Sequence, residues 1–361
     1  MLRKNCLILN FTANSYHWGC FGTSIEIYDR LVERGYYVNY LPVEQTHTPL
    51  PELPQQIPDF DSSEVAKRFT AANMPIVRAI TQADLVLCNG EGTLHEHALG
   101  PWQLLYLMYF AKKYANKTVA LINHSSYPSG SLEPSEKVDQ FYGEILKHLD
   151  LVASREVHST QILKRLGVNA VQSFDCLPLF IARNGYDRSV SPDGPIILSG
   201  GVSLNNALAG ELAAALQPLV DGDRKAVYLA GAKNSPAPED LKHFEQMKGE
   251  IPKLELLNAQ DVDTWIAVIG SASLLVSARF HHTIAAASLQ TPLVCLPSNT
   301  PKIEGICSML GLEPPISPAE PDWQSKVQAA SERALKDNKP VVSEETWQSI
   351  LKLGKTNFLD L

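Results

Sequence analysis

The sequence predicts an α/β fold of two Rossmann-like domains facing a cleft. Three observations carry this. Apolar runs of strand length alternate with helix-like stretches along the chain, a polar stretch with Gly and Pro interrupts them near the middle, and 361 residues are enough for two cores. Hydrophobic residues at 45% and charged residues at 19% place the chain among ordinary globular proteins.

The first strand is expected at 6–11, where Cys-Leu-Ile-Leu-Asn-Phe is almost wholly apolar, as a parallel strand covered on both faces should be. Further strands are expected at 36–41, 85–88, 118–122, 151–153 and 170–173 on the same ground. Helices are expected between them at 23–34, 62–81, 102–114, 135–149 and 157–166, with Gly35 and Gly167 ending two of them. Pro-rich 49–58 reads as a loop. The stretch 183–195, with two Gly and two Pro among polar residues, reads as a linker between domains 1–182 and 195–320. The second series then runs strand 196–199, helix 205–216, strand 226–229, helix 238–247, strand 254–257, helix 262–269, strand 273–276, helix 283–289 and strand 292–296. Two tail helices, 322–336 and 343–352, lie in 321–361, which is expected to pack back toward the first domain.

Net charge −8 and the absence of a long basic run exclude a non-specific nucleic-acid surface, which needs a positive field. They leave an anionic small molecule open, provided a few arginines gather locally. The apolar run after Arg3 and Lys4 is too short for a signal peptide, and no stretch approaches the length of a membrane span. Cys6, Cys20, Cys88, Cys176, Cys295 and Cys307 are scattered and read as buried thiols in a reducing cytoplasm. No set of His, Asp or Cys has metal spacing, so neither a metal nor a cofactor is expected; nor is there a Walker loop, a G-x-S-x-G elbow or a G-x-G-x-x-G fingerprint.

Candidate site residues fall where strands are expected to meet helices, the place at which open α/β sheets bind ligands. Ser277-Ala278-Arg279-Phe280-His281-His282 stands between strand 273–276 and an Ala-rich helix. An arginine and an imidazole there suit an anion and a proton transfer, although a carbonyl-capping Arg and two space-filling His would look the same. Asn89-Gly90-Glu91-Gly92, followed by His95, pairs small residues with groups able to handle protons. A merely tight turn is the plainer reading. After strand 151–153, Glu156 reads as a helix N-terminal carboxylate, whereas Arg155 is electrostatically out of place beside a helix N-terminus and suggests a shared anion. Asn14 and Trp18 after the first strand, and His124 after the fourth, complete the cleft-facing set, with Trp18 as a surface on which a sugar could stack.

In their order these motifs resemble the polysaccharide pyruvyl transferases. Ser277, Arg279 and His281 fit the family's S-x-R-x-H segment, although Gln290-Thr291-Pro292 departs from its G-x-P. Arg155-Glu156-Val157-His158-Ser159, then Leu163 to Gly167-Val168, fits its R-[D/E]-x-x-S segment and the helix end that follows, and Asp175 fits an acidic position beyond it. Asn14 with Gly19 is a looser version of an early N-x-G turn, in which Cys20 replaces an acidic residue. The resemblance implies a GT-B-like fold. It also implies a cytoplasmic transferase, free or peripheral at the inner membrane face, that moves the enolpyruvyl group of phosphoenolpyruvate onto two hydroxyls of a glycan or lipid-linked sugar and releases phosphate. On that reading Arg155, Arg279, Ser277 and His282 bind the donor. Two arginines suit its two anionic groups. His281 is the general acid and Glu91 a second catalytic group, while Asn14, Trp18, Asn89, Gly90, Gly92, His95 and His124 serve the acceptor or the cleft. Two readings stay open beside it: a GT-B glycosyltransferase using a nucleotide sugar, and a non-catalytic glycan- or phosphate-binding protein. Self-association is compatible with all three.

Overall fold

The computed structural model describes residues 3–14, 16–220, 224–233, 235–337, 339–359 and 361. The chain forms two compact units, one of residues 1–14, 23–176 and 352–361, the other of 15–22 and 177–351. The chain thus passes into the second unit ahead of the stretch read as a linker, because Leu177–Asn184 is itself a helix whose apolar residues belong to that unit's core.

In the first unit the order is β1 (Asn5–Phe11), α1 (Trp18–Glu33), β2 (Tyr37–Pro42), α2 (Val43–His47), α3 (Ser63–Ala72), α4 (Met74–Gln82), β3 (Leu85–Glu91), α5 (Leu99–Lys113), β4 (Thr118–His124), α6 (Glu136–Leu146), β5 (Leu151–Ser154), α7 (Val157–Arg165) and β6 (Ala170–Gln172). Helix α1 starts five residues before the expected one, and its first turn belongs to the second unit. The single helix expected over 62–81 is two. Asn73 caps α3 and opens α4, and Pro75 lacks the N–H that a continuous ladder would need. All six strands are parallel in the order β2-β1-β3-β4-β5-β6. Helix α5 is apolar on every side and correspondingly buried, and Phe60 meets Trp102, Tyr106 and Phe141 edge-on at 5.1–5.2 Å between ring centroids. Gly35 and Gly167 do end helices, both at positive φ.

The second unit runs α8 (Leu177–Asn184), β7 (Ile196–Ser199), α9 (Asn206–Leu216), β8 (Ala226–Leu229), α10 (Pro238–Glu250), β9 (Glu255–Leu257), α11 (Val262–Gly270), β10 (Leu274–Ser277), α12 (Phe280–Leu289), β11 (Leu293–Cys295), α13 (Lys302–Leu310), α14 (Trp323–Asp337) and α15 (Glu344–Lys355). Its parallel order β11-β10-β7-β8-β9 is the Rossmann order. Gln290 occupies the left-handed cap of α12, at φ 66°, where glycine is usual. Its side-chain amide compensates by donating to Val342 O at 3.0 Å and accepting from Val342 N–H at 3.1 Å. The departure from G-x-P is thereby explained as a pin between α12 and the segment leading into α15.

At its end the chain returns to the first unit. The Asn357 side chain accepts from Asn123 N–H at 2.8 Å and donates to Phe174 O at 2.8 Å. Among the described residues no helix is long and apolar enough to cross a membrane.

Candidate functional site

Each sheet has a switch point, where the connections from two neighbouring strands leave in opposite directions and a crevice opens beyond their carboxyl ends. In the first unit it lies between β1 and β3, and the polar residues expected to carry chemistry stand on those strands and on β4 and β5. Asn10, Glu91 and Asn123 all take positive φ (58°, 48° and 50°), so three neighbouring strands are locally irregular near their carboxyl ends, with register shifts after Ile8 and Leu121. Asn tolerates that conformation; for Glu it is uncommon, and it turns Glu91 into a polar network.

Arg155 holds the network together. Its Nη1 donates to Glu91 Oε2 and Asp175 Oδ2, both at 2.9 Å, and its Nε to Ser125 Oγ at 3.0 Å. Thr12 Oγ1 at 3.2 Å and Asn89 Nδ2 at 3.4 Å donate to Glu91 Oε1, and Thr23 Oγ1 donates to Asp175 Oδ1 at 3.2 Å. Arg155 is only 1% exposed. This differs from an arginine standing open to a substrate anion. Two carboxylates of its own unit supply the counter-charge that its place before α7 demands, and the shared anion inferred from the sequence is Glu91 with Asp175. Asn89 is equally interior, accepting from Asn123 Nδ2 at 3.0 Å and donating to Ser24 Oγ at 3.2 Å, so it braces strand ends and does not face an acceptor.

His124 is fully buried, its Nδ1–H donating to Ala153 O at 2.9 Å. Burial first, and the Arg155 charge after it, outweigh that bond and push the imidazole down to about 3, so it is neutral at pH 7. A Cβ at Gly90 would lie 2.3 Å from His124 Cβ, so this glycine is there for packing. Half-buried His95 meets Gly92 O through Nδ1 at 2.8 Å, and Asn14 is exposed. Glu156 caps α7 through the His158 and Ser159 N–H groups, as expected. Burial still raises its pKa to about 7 against those bonds.

In the second unit the switch point lies between β7 and β10, where Ser277 ends β10 and Arg279 stands at the N-cap of α12. Arg279 Nη2 donates to Asp240 Oδ1 at 2.6 Å, while Asp240 also accepts from Tyr228 Oη at 2.8 Å and Gly231 N–H at 2.9 Å. Burial alone would raise the Asp240 pKa, but Arg279 and these donors hold it below the usual carboxylate range. The guanidinium lies flat on Gly231, where a Cβ would come within 2.0 Å of Cζ. Its side chain keeps 22% exposure, so unlike Arg155 it presents charge outward from a fixed position. Ser277 Oγ accepts from Arg279 N–H at 3.0 Å. Asp240 escapes sequence reading because, in the first turn of α10, it looks like an ordinary dipole-favoured carboxylate.

His281 stands two residues on, in the first turn of α12, 4% exposed and 4.9 Å from the His17 ring. His282 turns the other way. Its Nε2 accepts from Trp265 Nε1–H at 3.1 Å, and burial pushes its pKa down to about 3. It packs α12 on α11 and does not serve as a donor ligand. Trp18 donates to Ala259 O at 2.8 Å, and Lys233 Nζ sits 4.4 Å from its ring centroid and 4.8 Å from that of Phe21. A cation therefore covers a face expected to meet a sugar. Nothing in the local sequence marks Lys233, His17 or Cys20 as site residues; the fold alone brings them beside Trp18 and His281.

The polysaccharide pyruvyl transferase family model matches residues 13–300. In fold the chain is similar to the UDP-GlcNAc 2-epimerase of Methanocaldococcus jannaschii, at 14% identity over 97% of this chain and 98% of that one, with a TM-score of 0.58. It is also similar to S. aureus MnaA solved with UDP (13%, 99% and 94%, 0.59) and to Anabaena HepE solved with UDP-glucose (11%, 98% and 98%, 0.56). These likenesses show the fold, α/β with two Rossmann-like domains of the GT-B class. A comparison with curated proteins found no match.

Proposed function

The chain belongs to the polysaccharide pyruvyl transferase family, and from that premise we propose that it transfers the enolpyruvyl group of phosphoenolpyruvate to two hydroxyls of a sugar. In that reaction the methylene carbon gains a proton and C2 gains two C–O bonds. The C2–O bond to phosphate breaks, both hydroxyls lose their protons, of which one balances the proton gained by the methylene carbon and the other leaves with phosphate, and the products are a pyruvate ketal and phosphate. The group at the end of β10 supports this reading: Arg279 is fixed by Asp240, lies on Gly231, keeps an exposed face, and has His281 two residues beyond it.

On this reading Arg279 binds an anionic group of the donor bidentately, which a lysine at the same place would not do. The free N–H groups of α12 attract the same anion. His281 donates the proton to the methylene carbon. Glu91, aimed by its strained turn and held by Arg155, receives a proton from an acceptor hydroxyl. Arg155 and Asp175 are positioning residues.

The experiment is phosphate release from phosphoenolpyruvate in the presence of candidate glycans, with the ketal methyl group detected in the product by NMR. Release that depends on the glycan supports the reading. Absence of release, with thermal stabilisation by UDP- or GDP-sugars instead, would point to a nucleotide-sugar transferase. Sugar binding without any turnover would point to a binding protein.

A further inference from the structure

Residues 16–22 and the start of α12 lie in the same unit and bring three metal-binding side chains together. One ligand atom each from His17, Cys20 and His281 lies within 4.8 Å of the other two. Cys20 Sγ is 3.5 Å from His17 Nε2. With Zn–S near 2.3 Å and Zn–N near 2.0–2.1 Å, a tetrahedral zinc ion separates its sulfur and nitrogen ligands by about 3.6 Å. The pair already has that spacing. His281 approaches so closely because residue 19 is glycine, where a Cβ would lie 2.3 Å from His281 Cβ. Cys20 and His281 are 5% and 4% exposed, while half-buried His17 forms the accessible side.

We propose that His17, Cys20 and His281 form a three-ligand site for a thiophilic divalent cation, zinc above all, with a fourth position left for water or an anion. Two imidazoles and a thiolate suit zinc, and they do not suit magnesium or calcium, which take oxygen ligands. Binding releases the Cys20 thiol proton and moves the His17 ring proton to Nδ1. The long 3.3 Å contact from Cys20 N–H to Nδ1 therefore opens, while the helix-starting bond from Phe21 N–H to His17 O remains. The sequence shows no metal spacing here, because only His-x-x-Cys is local and the third ligand, His281, is remote along the chain. One consequence rests on the proposed function: a metal-bound His281 has lost the proton it would transfer, so an occupied site and turnover exclude each other.

The test is titration of the metal-stripped full chain with Zn²⁺ against a chromogenic chelator, with Co²⁺ as the spectroscopic probe. One equivalent per chain and a thiolate-to-cobalt charge-transfer band are expected. Removing even an outer-shell partner of a metal ligand weakens affinity by about 10–100-fold, so Cys20→Ser and His17→Gln should each weaken it by roughly 100-fold or more, with loss of the band in Cys20→Ser. Less than one equivalent in the folded parent, or a variant that binds as the parent does, overturns the site. Tight zinc binding by a chain that releases no phosphate from phosphoenolpyruvate even when metal-stripped supports the site and counts against the proposed reaction instead.

Discussion

Replacing Arg155 by Met tests the central element of the first unit. The side chain keeps an unbranched apolar stem but loses the guanidinium and its charge, so Glu91 and Asp175 are left facing each other in an interior where both are at most 5% exposed. Breaking a buried ion pair by removing one partner costs about 3–5 kcal/mol, because the other charge stays desolvated and uncompensated. For 150–250 residues a change of 1 kcal/mol moves the melting temperature by roughly 2–4 °C, so the transition carrying the first unit should fall by about 6–20 °C. Arg155→Lys should recover only part of this, since one ammonium cannot reproduce the planar fork that serves Ser125, Glu91 and Asp175 together. Adding Glu91→Gln to Arg155→Met should raise stability again by removing one stranded charge. The assay is calorimetry of the four proteins at pH 7. A loss below about 1 kcal/mol in Arg155→Met, or a further loss in the double variant, would refute the claim that this network is a desolvated ion triad.

Gly231→Ala places a methyl group 2.0 Å from Arg279 Cζ, so phosphoenolpyruvate affinity measured by calorimetry should fall while circular dichroism stays unchanged; unchanged affinity would remove Arg279 from the donor site. His281→Ala should lower turnover by ~10²–10⁴-fold and leave donor binding largely intact, and a larger loss from His282→Ala would reverse the assignment of the two imidazoles. Glu156 holds its proton more tightly folded than unfolded, with a pKa raised from 4.5 to about 7. Its contribution to stability is therefore fully present below about pH 4.5 and lost as pH rises to about 7, and urea midpoints of Glu156→Gln should lack that fall. Buried His124 and His282, pushed from 6.5 to about 3, act with the opposite sign. Their contribution is present above pH 6.5 and lost as pH falls toward 3, and His282→Asn should flatten that acid limb.

What the amino-acid sequence determined by itself was the alternation of strands and helices and the junctions between them. Parallel strands covered on both faces must read as continuous apolar runs, so β1, β3, β4, β7, β8 and β10 were visible within a few residues of their ends. Arg279 and Arg155 were equally visible as charges placed where strand gives way to helix. Their partners were not. Asp240 meets Arg279 from α10, Glu91 and Asp175 meet Arg155 from beyond two other strands, and His281 meets His17 and Cys20 from the far end of the chain. The two arginines look alike in sequence, yet one is enclosed by carboxylates and the other keeps an exposed face. Local sequence decides backbone conformation because its causes act over a few residues. Which charges neutralise one another is decided by sheet order and crossover, which bring together residues that no local spacing relates.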